Sequence, residues 1–501
     1  MRPREDEGRR VLRNAATIGA FLASPLHLFL MVRALGPAGY GRWWWTFVLL
    51  EAAHLVGVLG TDLYVRREIP QCEDDAEGSA RATQIVGTAL AIVCSIGVVL
   101  ALVQIAIAVP LAHAQGDPAL VPFMMLLAFQ PVCWSVTAVI AAALQSRDHL
   151  GALAALRGIV VPGLLAIAYY VAWQAGLSIP VTLAVLLGLS IASVAMLLAL
   201  YARHFSLGAT LRAMVRPRLL RPALANGGRL IVPLVLYTIG GKLDLYVLGS
   251  YYEPAYVGVY AACLQVAALV PNVRGVFDPI AQAQIGALYA TDRAKLGTSL
   301  RHLIRLCTFA LAPAFVLTVA VGQPVLGWLF GARVPWTFEP LVLLSLGQLV
   351  ASIALAAWIV PMMSAGRVLA MIAGGAGVAK LVLLLWLVPR YGAVGAAIAT
   401  SVGAAIAFHG QSWFGTREVG FRPFPASIVP VLAATALVAA GGRWMFDLLA
   451  TGTSEAMAVM LTTAATMAVL GAALVALMTP VDRLQLRSLL GMRSAGVPSG
   501  A

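Results

Sequence analysis

Charge is what this sequence has least of. Only 11% of its 501 residues are Asp, Glu, Lys or Arg while 61% are hydrophobic, a balance that excludes an ordinary soluble protein. Cysteine is also sparse. Cys72, Cys94, Cys133, Cys263 and Cys307 lie far apart and mostly in apolar runs, which excludes a disulfide framework or a metal-ligand spacing. No Ser-His-Asp arrangement, phosphate-cradling glycine loop or HExxH is present, so nothing points to an active site. The charged N-terminus, Met1 to Arg13, runs into an apolar segment without a small-residue cleavage site and reads as the approach to an uncleaved first span. The net charge of +13 is spread thinly between apolar runs instead of forming a patch, so it speaks for membrane topology and not for nucleic acid.

What is there is a series of apolar segments. At about 20 residues per helical crossing, the expected spans are 14–33, 43–64, 84–109, 120–144, 153–173, 180–201, 230–249, 257–277, 303–325, 341–363, 368–388, 392–408, 426–446 and 456–478. If the N-terminus is cytoplasmic, Lys and Arg in the loops divide roughly 26 to 5 in favour of the inside. The outside keeps Arg33, Arg42, Arg333, Arg390 and Arg443. Both termini are therefore expected inside. The expected organisation is an N-terminal lobe over 1–202, a cytoplasmic linker over 203–228, a C-terminal lobe over 229–413, and two further helices with a tail over 414–501. The linker alternates Leu207, Leu211 and Met214 with Arg203, Arg212 and Arg216, as a helix on an anionic membrane face would. The acidic run Glu73, Asp74, Asp75 and Glu77 reads as a solvated inner loop.

The two lobes echo each other. The turn Leu35-Gly36-Pro37-Ala38-Gly39-Tyr40-Gly41 aligns with Tyr252-Glu253-Pro254-Ala255-Tyr256-Val257-Gly258, pairing Pro37 with Pro254 and Gly41 with Gly258. Ionisable residues then stand out against the apolar spans, where each costs roughly 2.5 to 3.5 kcal/mol at mid-depth. Glu51, His54, Val58 and Asp62 follow spacings of one helical face, and Glu51 and His54 are candidates for coupling to an ion. In the seventh span Tyr237, Gly241 and Asp244 share a face from which Lys242 points away. Either an interhelical salt bridge or a substrate or ion path accounts for Lys242 and Asp244. Arg274 and Asp278 are spaced to pair locally. Lys380 stands alone in the eleventh span, and with Lys242 and Arg274 it would give a cavity positive potential suited to a phosphate or pyrophosphate. An interfacial belt accounts for Trp43, Trp44, Trp45, Tyr251, Tyr252 and Tyr256 without any sugar binding.

At the paired turns, at Asp244 followed by Val247-Leu248-Gly249, at Gly258-Val259-Tyr260 and at Gly395-Ala396-Ala397-Ile398-Ala399-Thr400, the sequence resembles the polysaccharide transporter family of the MOP superfamily, which includes Wzx-type O-antigen and exopolysaccharide flippases. The resemblance implies an all-α polytopic fold of about fourteen spans, in two pseudo-symmetric six-helix lobes plus two C-terminal helices. It also implies alternating access around a cationic cavity and an undecaprenyl-diphosphate-linked oligosaccharide as cargo. Lys242, Arg274, Lys380 and Arg33 are the expected cavity cations, and Glu51, Asp244 and His54 the expected coupling groups. Asp244 matches the family's seventh-span aspartate, whereas Lys380 departs from an amide frequent near that place. The implied partners are membrane lipids, a polysaccharide polymerase and a chain-length regulator. A monomer is expected, with no cofactor, metal or nucleic acid. A cation-coupled multidrug antiporter of the same superfamily is the alternative and should carry an acidic, aromatic cavity. A glycosyltransferase or polymerase would need a large outer loop, which the short outer loops oppose.

Overall fold

The computed structural model describes residues 2–72, 75–146, 150–217, 219–289, 291–331, 334–362, 366–422 and 424–483, and leaves the side chains of 1–25 and 225–239 undescribed. Glu73, Asp74, Arg333 and the side chain of Tyr237 therefore lie outside the described residues. Every regular element among those residues is helical. Among the described residues nine helices are long and apolar enough to cross a bilayer, or up to eleven if each of two bent pairs is one span. The protein is a multi-pass membrane protein.

The chain falls into two compact units, Met1–Ala261 and Ala262–Ala501. The first contains α1 (Arg2–Val58), α2 (Thr61–Glu68), α3 (Ala76–Ala114), α4 (Val121–Leu126), α5 (Gln130–Gln145), α6 (Leu150–Ala155), α7 (Val161–Gln174), α8 (Ile179–Ala202), α9 (Leu207–Val215), α10 (Leu220–Tyr251) and the start of α11 (Pro254–Ala267). The second continues with α12 (Leu269–Leu288), α13 (Arg293–Phe330), α14 (Phe338–Ser352), α15 (Ile359–Met362), α16 (Gly366–Val419), α17 (Val429–Leu449) and α18 (Glu455–Leu477).

Two helices are far longer than one crossing. α1 runs 57 residues and α16 runs 54, and each is kinked at one glycine, Gly36 at φ 69° and Gly392 at φ 55°. A side chain would strain that left-handed backbone, so glycine sets the position of the bend. Gly392 thus divides α16 into the expected eleventh and twelfth spans, although the whole run counts once among the nine. Where helices begin in loops, side chains cap them: Asp75, Ser206, Asp292 and Ser454 each accept a hydrogen bond from the amide three residues on.

In the first unit the two aligned turns meet. A Cβ placed on Gly41 would overlap the carbonyl oxygen of Pro254, and one placed on Gly258 would overlap that of Pro37. The pairing of Gly41 with Gly258 and Pro37 with Pro254 read from the sequence thus reappears as a reciprocal contact. Each glycine sits against the other turn's proline, as a local two-fold arrangement requires.

The second unit is built around α13, with Leu300, Ile304, Cys307, Leu311 and Val316 almost wholly buried. Its expected cytoplasmic end carries a clamp. Arg305 donates from Nε to Asp482 Oδ2 at 3.0 Å, from Nη1 to the Ser427 carbonyl at 2.8 Å and from Nη2 to the Leu477 carbonyl at 2.8 Å, which ties the starts of α13 and α17 to the end of α18. Asp482 also accepts from the amide and the hydroxyl of Thr479, both at 2.8 Å. Burial alone would push the Asp482 carboxyl up. The Thr479 hydrogen bonds and the Arg305 guanidinium outweigh it and hold the group below its ordinary 3.8. A depressed carboxylate stabilises the fold above its unfolded pKa, and that contribution is lost as pH falls through the lower folded value. We therefore expect wild type to melt higher than Asp482→Asn at neutral pH, with the gap closing as pH falls below about 4. Melting curves in detergent across pH check this, and a gap that does not depend on pH would contradict it.

Candidate functional site

Ionised groups at bilayer depth need partners, so their surroundings determine their role. Lys242 of α10 and Glu51 of α1 form an ion pair between Nζ and Oε2, with side chains 26% and 27% exposed. The same ammonium lies 5.3 Å from the centre of the Trp44 ring and 4.5 Å from that of Phe47. Positions 44, 47 and 51 are three and four apart, so one face of α1 presents two aromatic faces and a carboxylate to a single lysine. Asp244 faces elsewhere, as expected. It is fully buried, and its Oδ2 accepts from the Tyr260 hydroxyl at 3.0 Å.

His54 lies one turn further along α1. Its Nδ1 is 2.9 Å from Ser135 Oγ, and its ring meets Trp134 edge-on with centroids 6.0 Å apart. The expected continuation of this face to Asp62 is interrupted. Leu59 at φ 47° and Gly60 at φ 68° end the helix, and Asp62 belongs to α2 across a 42° bend. Helical periodicity holds only while the backbone stays helical.

Beside this face the first unit holds a cavity of about 370 Å³, bounded by α1, α5, α7, α8 and the π-helical turn Leu156–Val160. Trp43, Phe47, Trp134 and Tyr169 supply aromatic walls, and Arg157 is the charged residue among those that line it. Arg157 sits in the π turn just ahead of Pro162, which lacks an amide hydrogen and so breaks the regular ladder. Gln130 donates to Ser190 Oγ at 2.6 Å across the cavity wall. The other amide atom of Gln130, Oε1, and His27 Nε2 are buried without a hydrogen-bond partner among the described residues. Such atoms are costly unless water or a ligand meets them.

The remaining candidates have their own settings. The Arg33 guanidinium stacks 5.3 Å from the Phe29 ring and 5.8 Å from Trp173. In the second unit Arg274, 4% exposed, donates to Asp278 Oδ1 at 3.0 Å and to the Ala351 carbonyl at 3.1 Å, and its guanidinium packs 4.6 Å from the Phe408 ring. Asp278 also accepts from Trp358 Nε1 at 2.7 Å. Lys380 is 4% exposed, and its stem lies so close to Gly403 that a Cβ there would come within 2.9 Å of the lysine Cβ.

The sequence did not mark His27, Gln130 or Arg157 as site residues. For Arg157 the available signal is a single arginine inside an apolar stretch. The aromatic belt also needs correction. Trp44 and Trp45 are 9% and 6% exposed, so they face protein and not lipid, and Trp43 stacks on Phe47 at 4.7 Å in the cavity wall.

Residues 30–337 match the profile of a family described as "Polysaccharide biosynthesis protein". The chain belongs to this family. None of the curated proteins matches it. Among solved structures this member of the polysaccharide biosynthesis family is similar to the lipid II flippase MurJ in an inward closed conformation, with 13% identity, 96% of this chain and 100% of that one covered, and a TM-score of 0.68. It is also similar to an inward-facing multidrug resistance MATE family transporter of the MOP superfamily, with 18% identity, coverage of 82% and 94%, and a TM-score of 0.62. A MOP superfamily transporter from Pyrococcus furiosus, described as having a binding pocket of reverse polarity, aligns at 14% identity, coverage of 82% and 98%, and a TM-score of 0.57. At such identities the likeness establishes the fold: this family member has the MOP transporter fold.

Proposed function

We propose that this protein is a flippase that turns an undecaprenyl-diphosphate-linked oligosaccharide repeat unit from the cytoplasmic to the periplasmic leaflet of the bacterial inner membrane by alternating access, for the synthesis of a surface or exported polysaccharide. Family membership and the MOP fold support transport in polysaccharide biosynthesis. The observation that carries the reading is the cavity of the first unit. Aromatic walls suit the faces of sugar rings, the unpartnered Nε2 of His27 and Oε1 of Gln130 suit hydroxyl groups, and Arg157 suits a phosphate.

Lys242 enters as a held cation. While Glu51 is ionised, the pair is neutral overall. Protonating Glu51, or bringing a diphosphate near, would release the lysine toward the anion, and this links cargo to a proton. Arg33 and Lys380 are proposed to add positive potential for the anionic cargo, while Arg274 is neutralised by Asp278, and His54 and Asp244 are proposed as further polar groups for coupling. No Asp or Glu lines the cavity among the described residues, which disfavours the alternative of a multidrug antiporter for organic cations.

Arg157→Ala is the direct test. In cells lacking the native gene, wild type is expected to restore surface glycan. The variant, present at equal level, is expected to reduce it by roughly ten- to a hundredfold and to leave lipid-linked repeat units accumulated, the loss of one charge-assisted contact being worth on the order of 1.5 to 3 kcal/mol. Full export by Arg157→Ala would refute the assignment of the cavity. Dye efflux without any effect on glycan would favour the antiporter.

A further inference from the structure

A second concavity of the first unit, of about 470 Å³, opens where α3, α10 and the two aligned turns come together, on the side that the loop charges place outside. Its floor includes Gly41 and Pro254, the residues of the reciprocal turn contact. One wall is the ion pair of Arg42 with Asp117, whose two bonds measure 2.7 and 3.1 Å and whose side chains are 21% and 15% exposed. A paired guanidinium and carboxylate fix each other's orientation and still offer unused donors and acceptors. The lining also includes Tyr251, 53% exposed, and Glu253, also exposed. Gln115 and Ser250 add neutral hydrogen-bonding groups, and Leu120 and Val257 add apolar surface to the lining.

The chemistry of the lining selects the ligand class. Arg42 is already matched by Asp117, and Glu253 adds a negative charge, so a phosphate or other anion is disfavoured. An accessible aromatic ring, two carboxylates, an amide and a guanidinium instead match an uncharged polyol with one apolar face and many hydroxyls. The volume lies within the range of about 300 to 1,000 Å³ usual for small-ligand pockets. Trp45, 6% exposed, also borders the pocket, and its indole N–H is buried with no hydrogen-bond partner among the described residues.

We propose that this outer pocket is a saccharide subsite that receives part of the glycan as it leaves the membrane, with Tyr251 as the stacking platform and Glu253, Gln115 and the Arg42–Asp117 pair as hydroxyl partners. The proposal rests on the flippase reading and adds to it a place where the sugar, as distinct from the diphosphate, is held. A glycan site on the far side would hold the sugar end once it has crossed and so provide a bound intermediate before release, while the direction of net transport is left to the energy that drives the cycle.

The test uses the full chain in lipid nanodiscs and the soluble repeat-unit oligosaccharide released by mild acid from the lipid-linked pool of the producing cell. Calorimetric titration is expected to show saturable binding that weakens about tenfold in Tyr251→Ala, a loss of about 1.4 kcal/mol, and also weakens in Glu253→Gln. Both side chains are exposed, and unchanged melting temperatures would verify that the variants fold. No binding, binding that survives both substitutions, or Tyr251-dependent binding of tetraphenylphosphonium in place of the glycan would each overturn the subsite. None of those results touches the flippase reading, which depends on export by wild type and Arg157→Ala.

Discussion

Gly41→Ala and Gly258→Ala are each expected to lower the melting temperature and yield of the protein and to remove most of its export activity. The added methyl group meets a backbone carbonyl of the opposing turn and not the tip of a movable side chain. Relief therefore requires shifting a turn whose prolines already fix the backbone. Overpacking of this kind costs about 1 to 3 kcal/mol, and more where backbone must move. Gly188 and Gly275 provide the contrast, since a Cβ at either meets nothing within 4 Å. Gly188→Ala and Gly275→Ala should be neutral or stabilise by a few tenths to about 1 kcal/mol through helix propensity. Thermal melting of the four purified variants separates the two classes. Equal behaviour of all four would show that the turns do not bear on each other.

The second large effect belongs to Glu51 and Lys242. Lys242→Met leaves the Glu51 carboxylate without its cation in an expected membrane span, and Glu51→Gln leaves an ammonium with only the Trp44 and Phe47 ring faces as near neighbours on α1. Removing one partner of a largely buried pair costs on the order of 3 kcal/mol, much of it the penalty on the group left behind. The double variant Glu51→Gln/Lys242→Met should recover most of that stability, because no unmatched charge remains. It should nevertheless stay inactive in export, because the proposed exchange of the lysine between carboxylate and diphosphate needs both charges. A double-mutant cycle on melting temperature, run beside an export assay, distinguishes these outcomes. Recovery of stability and export together would assign the pair a purely structural role.

These two sites were legible in the sequence to different degrees, for physical reasons. The aligned turns could be read because glycine and proline leave a direct chemical mark: Gly36 and Gly392 were needed where the backbone turns left-handed, and Gly41 and Gly258 where backbones touch. Glu51 and Lys242 were visible as charges in apolar runs. Their pairing was not, because the periodicity of one helix carries no information about which face of another it meets. The stripe toward Asp62 failed for a related reason, a helix ending at Leu59 and Gly60 that the apolar pattern does not reveal. The position of Trp44 and Trp45 along the span fits an interfacial belt, yet rotation about the helix axis turns them inward. The polar wall of the first cavity was missed because His27, Gln130 and Arg157 lie on three separate helical segments and share no spacing.

If the chain itself carries a diphosphate-linked glycan across a bilayer, the purified protein must do so without any other component. The most direct measurement places purified protein in vesicles containing a fluorescently tagged undecaprenyl-diphosphate oligosaccharide and follows how much of the tag an impermeant quencher reaches over time. Wild type is expected to expose the inner-leaflet pool, with Arg157→Ala and Glu51→Gln/Lys242→Met slowed toward the protein-free rate. A wild-type rate equal to that of empty vesicles, with the protein folded and an imposed proton gradient present, would contradict the account.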